Sequence, residues 1–359
     1  MSQVLRAKAE LQYAHELAAL KAQDKKVRPA QWELSPTAVV DYLMGTTLAD
    51  GTEITAKYIG SRRLMEIAVA TLATDRALLL LGVPGTAKSW VSEHLAAAIS
   101  GQSTLLIQGT AGTSEDSLRY SWNYAQLLAK GPSEDALVPS PMLRAMTQGR
   151  IARIEELTRI PADVQDTLIT LLSEKNLPVP ELGIEYQAIQ GFSVIATANN
   201  RDKGVNELSS ALKRRFNTVI LPPPATIEEE IEIVQKRVAS LGRSLDLPEI
   251  QPLDQHIKTL VTIFRELRDG KTMDGKQKLK STTGTMSTAE AISVMSHSWA
   301  MAGHFGDGTL NAYDLVSGLQ GAVIKDPVQD IVPWKEYVET VIKHREGWNP
   351  IYQACRDLE

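Results

Sequence analysis

Eight consecutive residues, Gly82, Val83, Pro84, Gly85, Thr86, Ala87, Lys88 and Ser89, carry the groups that hold a polyphosphate. Loop amides and a helix N-terminus converge on an anion, a lysine ammonium neutralises terminal phosphate charge, and a hydroxyl gives magnesium an oxygen ligand. The flanks suit that use: the apolar run Leu78 to Leu81 precedes the segment, and the helical pattern SWVSEHLAAAIS, with Trp90 as its second residue, follows from Ser89. Strand, loop and helix in that order imply a site for ATP with magnesium. Ala87 stands where a glycine is usual; it keeps its amide but restricts the backbone, because only glycine visits positive φ freely. The alanine is expected to be tolerated.

A cradle gives binding only; hydrolysis also needs a carboxylate beside the magnesium and another that polarises the attacking water. Glu155 and Glu156 close the run RIARI, at the carboxyl end of a predicted strand, where both would face the crevice of a parallel sheet. Adjacent strand residues point to opposite faces and cannot do one job. Magnesium contact through water is assigned to Glu155 and the general-base role to Glu156; a solvated acidic helix start is the plainer alternative. Arg153 lies in the same strand, where an unpaired buried charge would cost several kcal/mol, so it requires a partner, and Glu155 shares its face two residues on.

These residues resemble a known family. Gly82 to Ser89 as Walker A, Ile151 to Glu156 as Walker B and Val194 to Asn199 (VIATAN) as sensor 1 are similar to the AAA+ ATPases of the MoxR type, over roughly residues 35 to 325. The resemblance implies a P-loop αβα sandwich with a five-stranded parallel sheet in the order 5-1-4-3-2, followed by an all-α lid domain. It also implies a ring, usually hexameric, with ATP at subunit boundaries. In such proteins Tyr58, Ile59 and Gly60 occupy the place that packs the adenine, Asn199 orients the water, and Arg214 and Arg215 of ALKRRF align with the arginine finger, Arg215 first. A turn at Asn199 and a surface ion pair at the arginines are the bland alternatives. The family's remodelling or chaperone activity follows by analogy, with a von Willebrand A domain protein as a possible partner. A nucleotide-gated scaffold with slow or no hydrolysis is the second reading, and a small-molecule phosphotransferase the third.

The sequence departs from the family pattern in places. Glu155 replaces an aspartate, a longer reach that a water-mediated contact absorbs. Gly284, Thr285, Met286, Ser287, Thr288 and Ala289 mark where the sensor 2 arginine belongs, yet none of them is an arginine.

Positioning these groups takes a sizeable core, which 359 residues of 43% hydrophobic composition can bury. Apolar runs at 77–81, 104–107, 151–154, 192–196 and 218–221 alternate with helical patterns, and five strands with crossover helices imply a buried parallel sheet. Pro222, Pro223 and Pro224 end it. Beyond them the capping-box signature Thr226 to Glu229 and helical stretches at 252–268, 287–302 and 333–345 read as a second, helical domain, with a Gly/Lys-rich loop at 269–284. The division expected is 1–34 as an N-terminal helical extension, 35–224 as the ATPase core and 225–359 as the lid. Within the core, 114–142 is an insert bearing Trp122 and Tyr124, and 176–191 a hairpin. The two aromatics suit gripping a peptide at a ring's pore, or simply anchor the core. Val4, Ala7, Leu11, Ala14 and Ala18 give the stretch 3–25 one apolar helical stripe.

Bulk charge narrows the partners. Lys plus Arg total 38 against 43 acids, a formal charge of -5, which implies no nucleic-acid or anionic-membrane footprint. The single cysteine, Cys355, allows no internal disulfide and fits a reducing cytoplasm. No apolar run approaches the roughly 18 residues that span a bilayer.

Overall fold

The computed structural model describes residues 4–199, 206–250 and 254–358. These form two compact units, one carrying Ala7–Val83 and Ala87–Pro222, the other carrying residues 4–6, Pro84–Thr86 and the chain from Pro223 onward.

The first unit begins with helices α1 (Ala9–Gln12) and α2 (Ala14–Gln23). Helix α3 (Pro36–Met44) starts where the Ser35 hydroxyl accepts the Ala38 N–H, with Pro36 in the first turn. Then come α4 (Arg62–Leu72), β1 (Ala77–Gly82), α5 (Lys88–Ser100), β2 (Leu106–Gln108), α6 (Pro141–Gln148), β3 (Ile151–Glu155), α7 (Ala162–Ser173), β4 (Ser193–Asn199), α8 (Ser210–Lys213) and β5 (Phe216–Ile220). The five strands pair in parallel in the order β5-β1-β4-β3-β2, which is the 5-1-4-3-2 arrangement.

Single-residue alternation splits β1, β3, β4 and β5 between two helical layers, while the edge strand β2 buries only Ile107. Leu78, Leu80, Ile151, Ile195 and Val219 pack with residues of α3, α4 and α5. Ala77, Leu79, Ala152, Ile154, Val194 and Ala196 pack with α6 and α7. Burial on both faces explains why the strands read as continuous apolar runs rather than alternating ones.

The N-terminal helix differs from expectation in two ways: it breaks at Tyr13, and the stripe Val4, Ala7, Leu11, Ala14, Ala18 is not its packing face. Val4 and Leu11 are 77% and 65% exposed, whereas Ala9 and Leu20 are buried and Tyr13 and Leu17 pack on the core. The opposite stripe wins because tyrosine and leucine remove more apolar area from water than alanines do.

The insert is a short antiparallel ribbon, Tyr120–Trp122 against Leu137–Pro139, with a helix at Tyr124–Lys130 between them. Its aromatics part company: Trp122 packs on the core edge-to-face with Tyr120 at 5.8 Å, while Tyr124 is 71% exposed. Residues 176–179 and 184–187 pair as a hairpin before β4.

The second unit contains α9 (Ile227–Ser244), α10 (Asp254–Asp269), α11 (Thr288–His304), α12 (Ala312–Val323), α13 (Pro327–Thr340) and α14 (Asn349–Asp357) around one apolar core. Thr226 caps α9, and Ser287 with Glu290 forms a full capping box on α11. The helix expected at 333–345 begins two turns earlier, because Asp326 caps the Val328 and Gln329 amides and Pro327 occupies the first turn, leaving Pro333 inside. Helix α12, with its Asn311–Asp314 capping box, and α14 went unread in the sequence. Residues 252 and 253, at the predicted start of α10, lie outside the described residues.

Asp330 ties this unit together. Its buried carboxylate accepts from Thr283 N–H and Oγ1 at 2.6 Å each, Lys325 N–H at 2.9 Å and Asp326 N–H at 2.8 Å. Burial pushes its pKa up, but these bonds outweigh it and hold the group at about 2. A carboxyl whose folded pKa is depressed stabilises above its unfolded value near 3.8, and loses that contribution as pH falls through about 2. Asp330→Asn is therefore expected to lower the denaturant midpoint near neutral pH, with the gap to the parent closing on acidification toward pH 2. A gap unchanged across that range would contradict the assignment.

Candidate nucleotide site

The phosphate-binding candidate follows β1. The strand ends at Gly82, and the chain turns through Gly85 at φ 81° and Ala87 at φ 62° into α5. Ala87 adopts the left-handed conformation that a glycine would take without steric cost. Lys88 is buried, and its ammonium donates to the Gly82 carbonyl at 3.1 Å and the Val83 carbonyl at 2.8 Å. Its stem and head thus lie along the loop it is expected to serve.

Ser89 faces β3. Its hydroxyl donates to Glu155 Oε2 at 2.5 Å, Thr197 Oγ1 donates to the same oxygen at 2.6 Å, and Ser92 Oγ donates to Oε1 at 2.5 Å. Arg153 Nη2 adds a fourth bond, to Oε1 at 2.8 Å. The expectation that Arg153 pairs with Glu155 is met, and the guanidinium is further held by Ser92 Oγ at 2.9 Å, the Ser103 carbonyl at 2.9 Å and the Ser89 carbonyl at 3.1 Å. Both charges are about 5% exposed. Burial pushes the Glu155 carboxyl up, but hydrogen bonds from Ser89, Ser92 and Thr197, then the Arg153 charge, hold it below the usual carboxylate range.

Sequence reading missed Ser92, Thr197 and Gly109, although each left a signal. Ser92 lies one helical turn beyond Ser89, and Thr197 shares the strand face of Asn199 two residues on. Gly109 follows β2, and its amide donates to the Glu155 carbonyl at 2.7 Å. A Cβ there would lie 2.4 Å from the Glu156 carbonyl oxygen, so a side chain cannot fit.

Glu156 leaves the strand at φ 53°, a left-handed residue at the point where the chain turns away. Non-glycine strain of this kind clusters at functional sites. Its Oε2 pairs with Arg159 Nε at 3.1 Å, on the half-exposed side away from Glu155. Asn199 ends β4 in register with Gly82, beside the first residue of the loop.

The other predicted residues fall in two places, beside the start of α5 and at the amino ends of the strands. Tyr58 is buried in the core, with Ile59 half-buried and Gly60 exposed after it. Trp90 donates its indole N–H to the Lys57 carbonyl at 2.8 Å. Arg214 and Arg215 close α8 and precede β5, whose first residue pairs with Ala77, so they lie at the opposite end of the strands from the loop. Arg215 donates to Ser173 Oγ and to the Ala211 carbonyl. In the second unit, Arg268 of α10 reaches the segment 284–289: it donates to the Met286 carbonyl at 2.9 Å and by both Nη atoms to buried Glu230.

The parallel sheet, the loop between β1 and α5 and the paired acids after β3 define an AAA+ P-loop protein, and the chain belongs to the AAA+ ATPases, carrying a YehL-like C-terminal domain. Residues 77–216 match the AAA domain of the dynein-related subfamily, and residues 228–356 the YehL-like AAA+ ATPase C-terminal domain. The protein YehL of Escherichia coli K12 is 41% identical, over 98% of this chain and 96% of its own. The protein SH1500 of Staphylococcus haemolyticus is 24% identical, over 57% of this chain and 77% of its own. Among solved structures, the RuvB Holliday junction branch migration motor of Thermotoga maritima is 16% identical with a TM-score of 0.46, covering 84% of this chain and 80% of RuvB. NtrX of Brucella abortus, solved with ADP, is 13% identical with a TM-score of 0.46, covering 70% of this chain, which spans about half of NtrX (53%). Membership of the AAA+ family implies nucleotide binding. Among the described residues, no helix is long and apolar enough to cross a membrane.

Ala87 offers a direct check on the loop. A Cβ in the left-handed region costs roughly 1 to 2 kcal/mol, of which about 0.5 to 1 is offset by the extra freedom glycine gives the unfolded chain. Ala87→Gly should raise the stability of the first unit by roughly 0.5 to 1 kcal/mol in denaturant unfolding. A fall in midpoint would mean that the loop prefers another conformation.

Proposed function

We propose that this protein is an ATP-hydrolysing AAA+ ring of MoxR type that remodels or chaperones a partner protein in the cytoplasm. The convergence of Ser89 and Glu155 beside the Lys88 loop, at the carboxyl ends of β1, β3 and β4, supports this reading most. The oxygen donors suit magnesium, a hard cation that takes carboxylate, hydroxyl and water ligands. Ser89 would ligate it directly and Glu155 through water; magnesium, when bound, neutralises phosphate charge.

The chain's own residues do the rest. The backbone N–H groups of Gly82 to Ser89, Pro84 excepted, and the Lys88 ammonium hold the β and γ phosphates, and Tyr58, Ile59 and Gly60, with Trp90 behind them, shape the base site. Glu156 takes the proton of the attacking water and Asn199 orients it. Arg215, with Arg214 beside it, serves a neighbouring copy. The six residues of β1 span about 20 Å, too far for the arginine to reach the loop in its own chain. A hexameric ring is the assembly proposed, and a von Willebrand A domain protein a candidate partner by family analogy. Exposed Tyr124 and Leu128 on the insert are the candidate gripping surface.

The nucleotide-gated scaffold has one observation in its favour. Glu156 is engaged by Arg159 at 3.1 Å, a contact that must break before the carboxylate can turn to a water.

Turnover separates the two. Glu156→Gln is expected to cut ATP hydrolysis by about 100-fold or more while ATP binding persists, in line with the loss of a general base. No change in rate would remove Glu156 from that role, and a parent without turnover would favour the scaffold. Arg215→Ala subunits mixed into parent rings should inhibit beyond simple dilution; strictly additive rates would show that the arginine does not act on a neighbour.

A further inference from the structure

Lys57, immediately before the Tyr58–Gly60 segment, is a buried cation whose surroundings account for every proton of its ammonium. Its side chain is 1% exposed. The Nζ donates to Glu16 Oε2 at 2.5 Å, to the Thr55 carbonyl at 2.6 Å and to Thr55 Oγ1 at 2.9 Å, which satisfies all three donors. It also stands over two aromatic faces, 4.2 Å from the Tyr13 centroid and 4.6 Å from the Tyr42 centroid. Burial pushes its pKa down, and Glu16 opposes that. Glu16 lies on α2 and is itself committed, since its carboxylate also accepts from Thr55 N–H at 3.1 Å and Thr55 Oγ1 at 2.8 Å.

The same residue is anchored through its backbone. Lys57 and Tyr58 both donate their N–H groups to the Leu43 carbonyl at the end of α3, at 2.8 and 2.9 Å. The Lys57 carbonyl accepts the indole N–H of Trp90, the residue that follows Ser89. Gly60 then folds back so closely that a Cβ would lie 2.8 Å from the Tyr58 hydroxyl. The segment expected to meet the base is therefore held from α2, α3 and α5 at once, and the hold from α2 is an ion pair.

We propose that Glu16 and Lys57 are positioning residues for nucleotide binding, by which the N-terminal helix fixes the Tyr58–Gly60 segment and so sets affinity for the nucleoside half of ATP. The inference rests on the reading of 58–60 as the base site. Removing the Glu16 charge leaves a desolvated ammonium without its counter-ion, and Lys57 must then shift toward water. That shift carries the Trp90 bond and the start of the 58–60 segment with it. The phosphate loop is secured separately, by β1, β3 and β4, so the consequence falls on the base and not on the phosphates.

The experiment compares ATP with inorganic tripolyphosphate, each with magnesium, by calorimetry on the full chain. Glu16→Gln should weaken ATP by on the order of tenfold in Kd, a factor worth about 1.4 kcal/mol, and leave tripolyphosphate unchanged. The double variant Glu16→Gln with Lys57→Met removes the stranded charge at similar volume and should return ATP affinity to within about threefold of the parent, as a coupled pair requires. ATP affinity unaffected by Glu16→Gln, equal losses for both ligands, or a double variant no better than the single one would each overturn the proposal. A parent that binds the two ligands equally well would instead refute the base site itself. Thermal unfolding of each variant verifies that the protein is folded.

Discussion

A single buried carboxylate organises the core of this protein. Glu155 collects hydrogen bonds from α5 through Ser89 and Ser92, from β4 through Thr197 and from its own strand through Arg153. A charge about 4% exposed is costly unless its lone pairs are filled, and here four donors fill them. The requirement runs outward into the fold. Strand β4 must sit in the register that brings Thr197 opposite Glu155, and α5 must present Ser89 and Ser92 on one face. Chain following β2 must pass close enough for the Gly109 amide to reach the Glu155 carbonyl, where only glycine fits.

Arg153 explains how a longer acid is accommodated. Glutamate carries one more methylene than the aspartate usual at this place, which moves its carboxylate outward along the strand face. The guanidinium two residues earlier lies on that face and takes Oε1, leaving Oε2 turned to Ser89 and Thr197. Its other donors are spent on Ser92, the Ser89 carbonyl and the Ser103 carbonyl, so both charges are enclosed without an unsatisfied remainder between them. The result is an electrically balanced pair, and the pair, not Glu155 alone, is the unit that the surrounding donors and acceptors serve.

Much of this was legible in the chain. The strands were visible because burial on two faces demands unbroken apolar runs, and the loop because its glycines, Lys88 and Ser89 fall between a strand and a helix. The Arg153–Glu155 pair followed from strand parity and the cost of burying one charge. Two expectations differ from the structure for identifiable reasons. The N-terminal helix was oriented by counting apolar positions, which weighs Ala14 and Ala18 equally with Tyr13 and Leu17, although area decides. The helix expected from 333 lies inside α13, whose stronger start signal, Asp326 followed by Pro327, stands seven residues earlier. The bond from Arg268 of α10 to the Met286 carbonyl leaves no signal in the sequence around 284–289. Contacts between distant segments, such as Glu16 with Lys57, have no periodicity to betray them.

The sheet's polarity separates the residues proposed to share one phosphate. In a parallel sheet every strand delivers its carboxyl end to the same edge, which is why the Lys88 loop, Glu155, Glu156 and Asn199 gather there. Arg214 and Arg215 enter β5 from the amino edge, a full strand length away, and the bonds from Arg215 to Ser173 and Ala211 fix it to that edge. Rotating side chains does not bridge the gap, and moving α8 would strip Phe216 and Leu212 from the core they help to fill. Groups separated in this way can act on one phosphate only when a second copy presents its amino edge to the first copy's carboxyl edge. Such a contact is heterologous, so repeating it closes a ring or extends a filament and cannot stop at a symmetric pair.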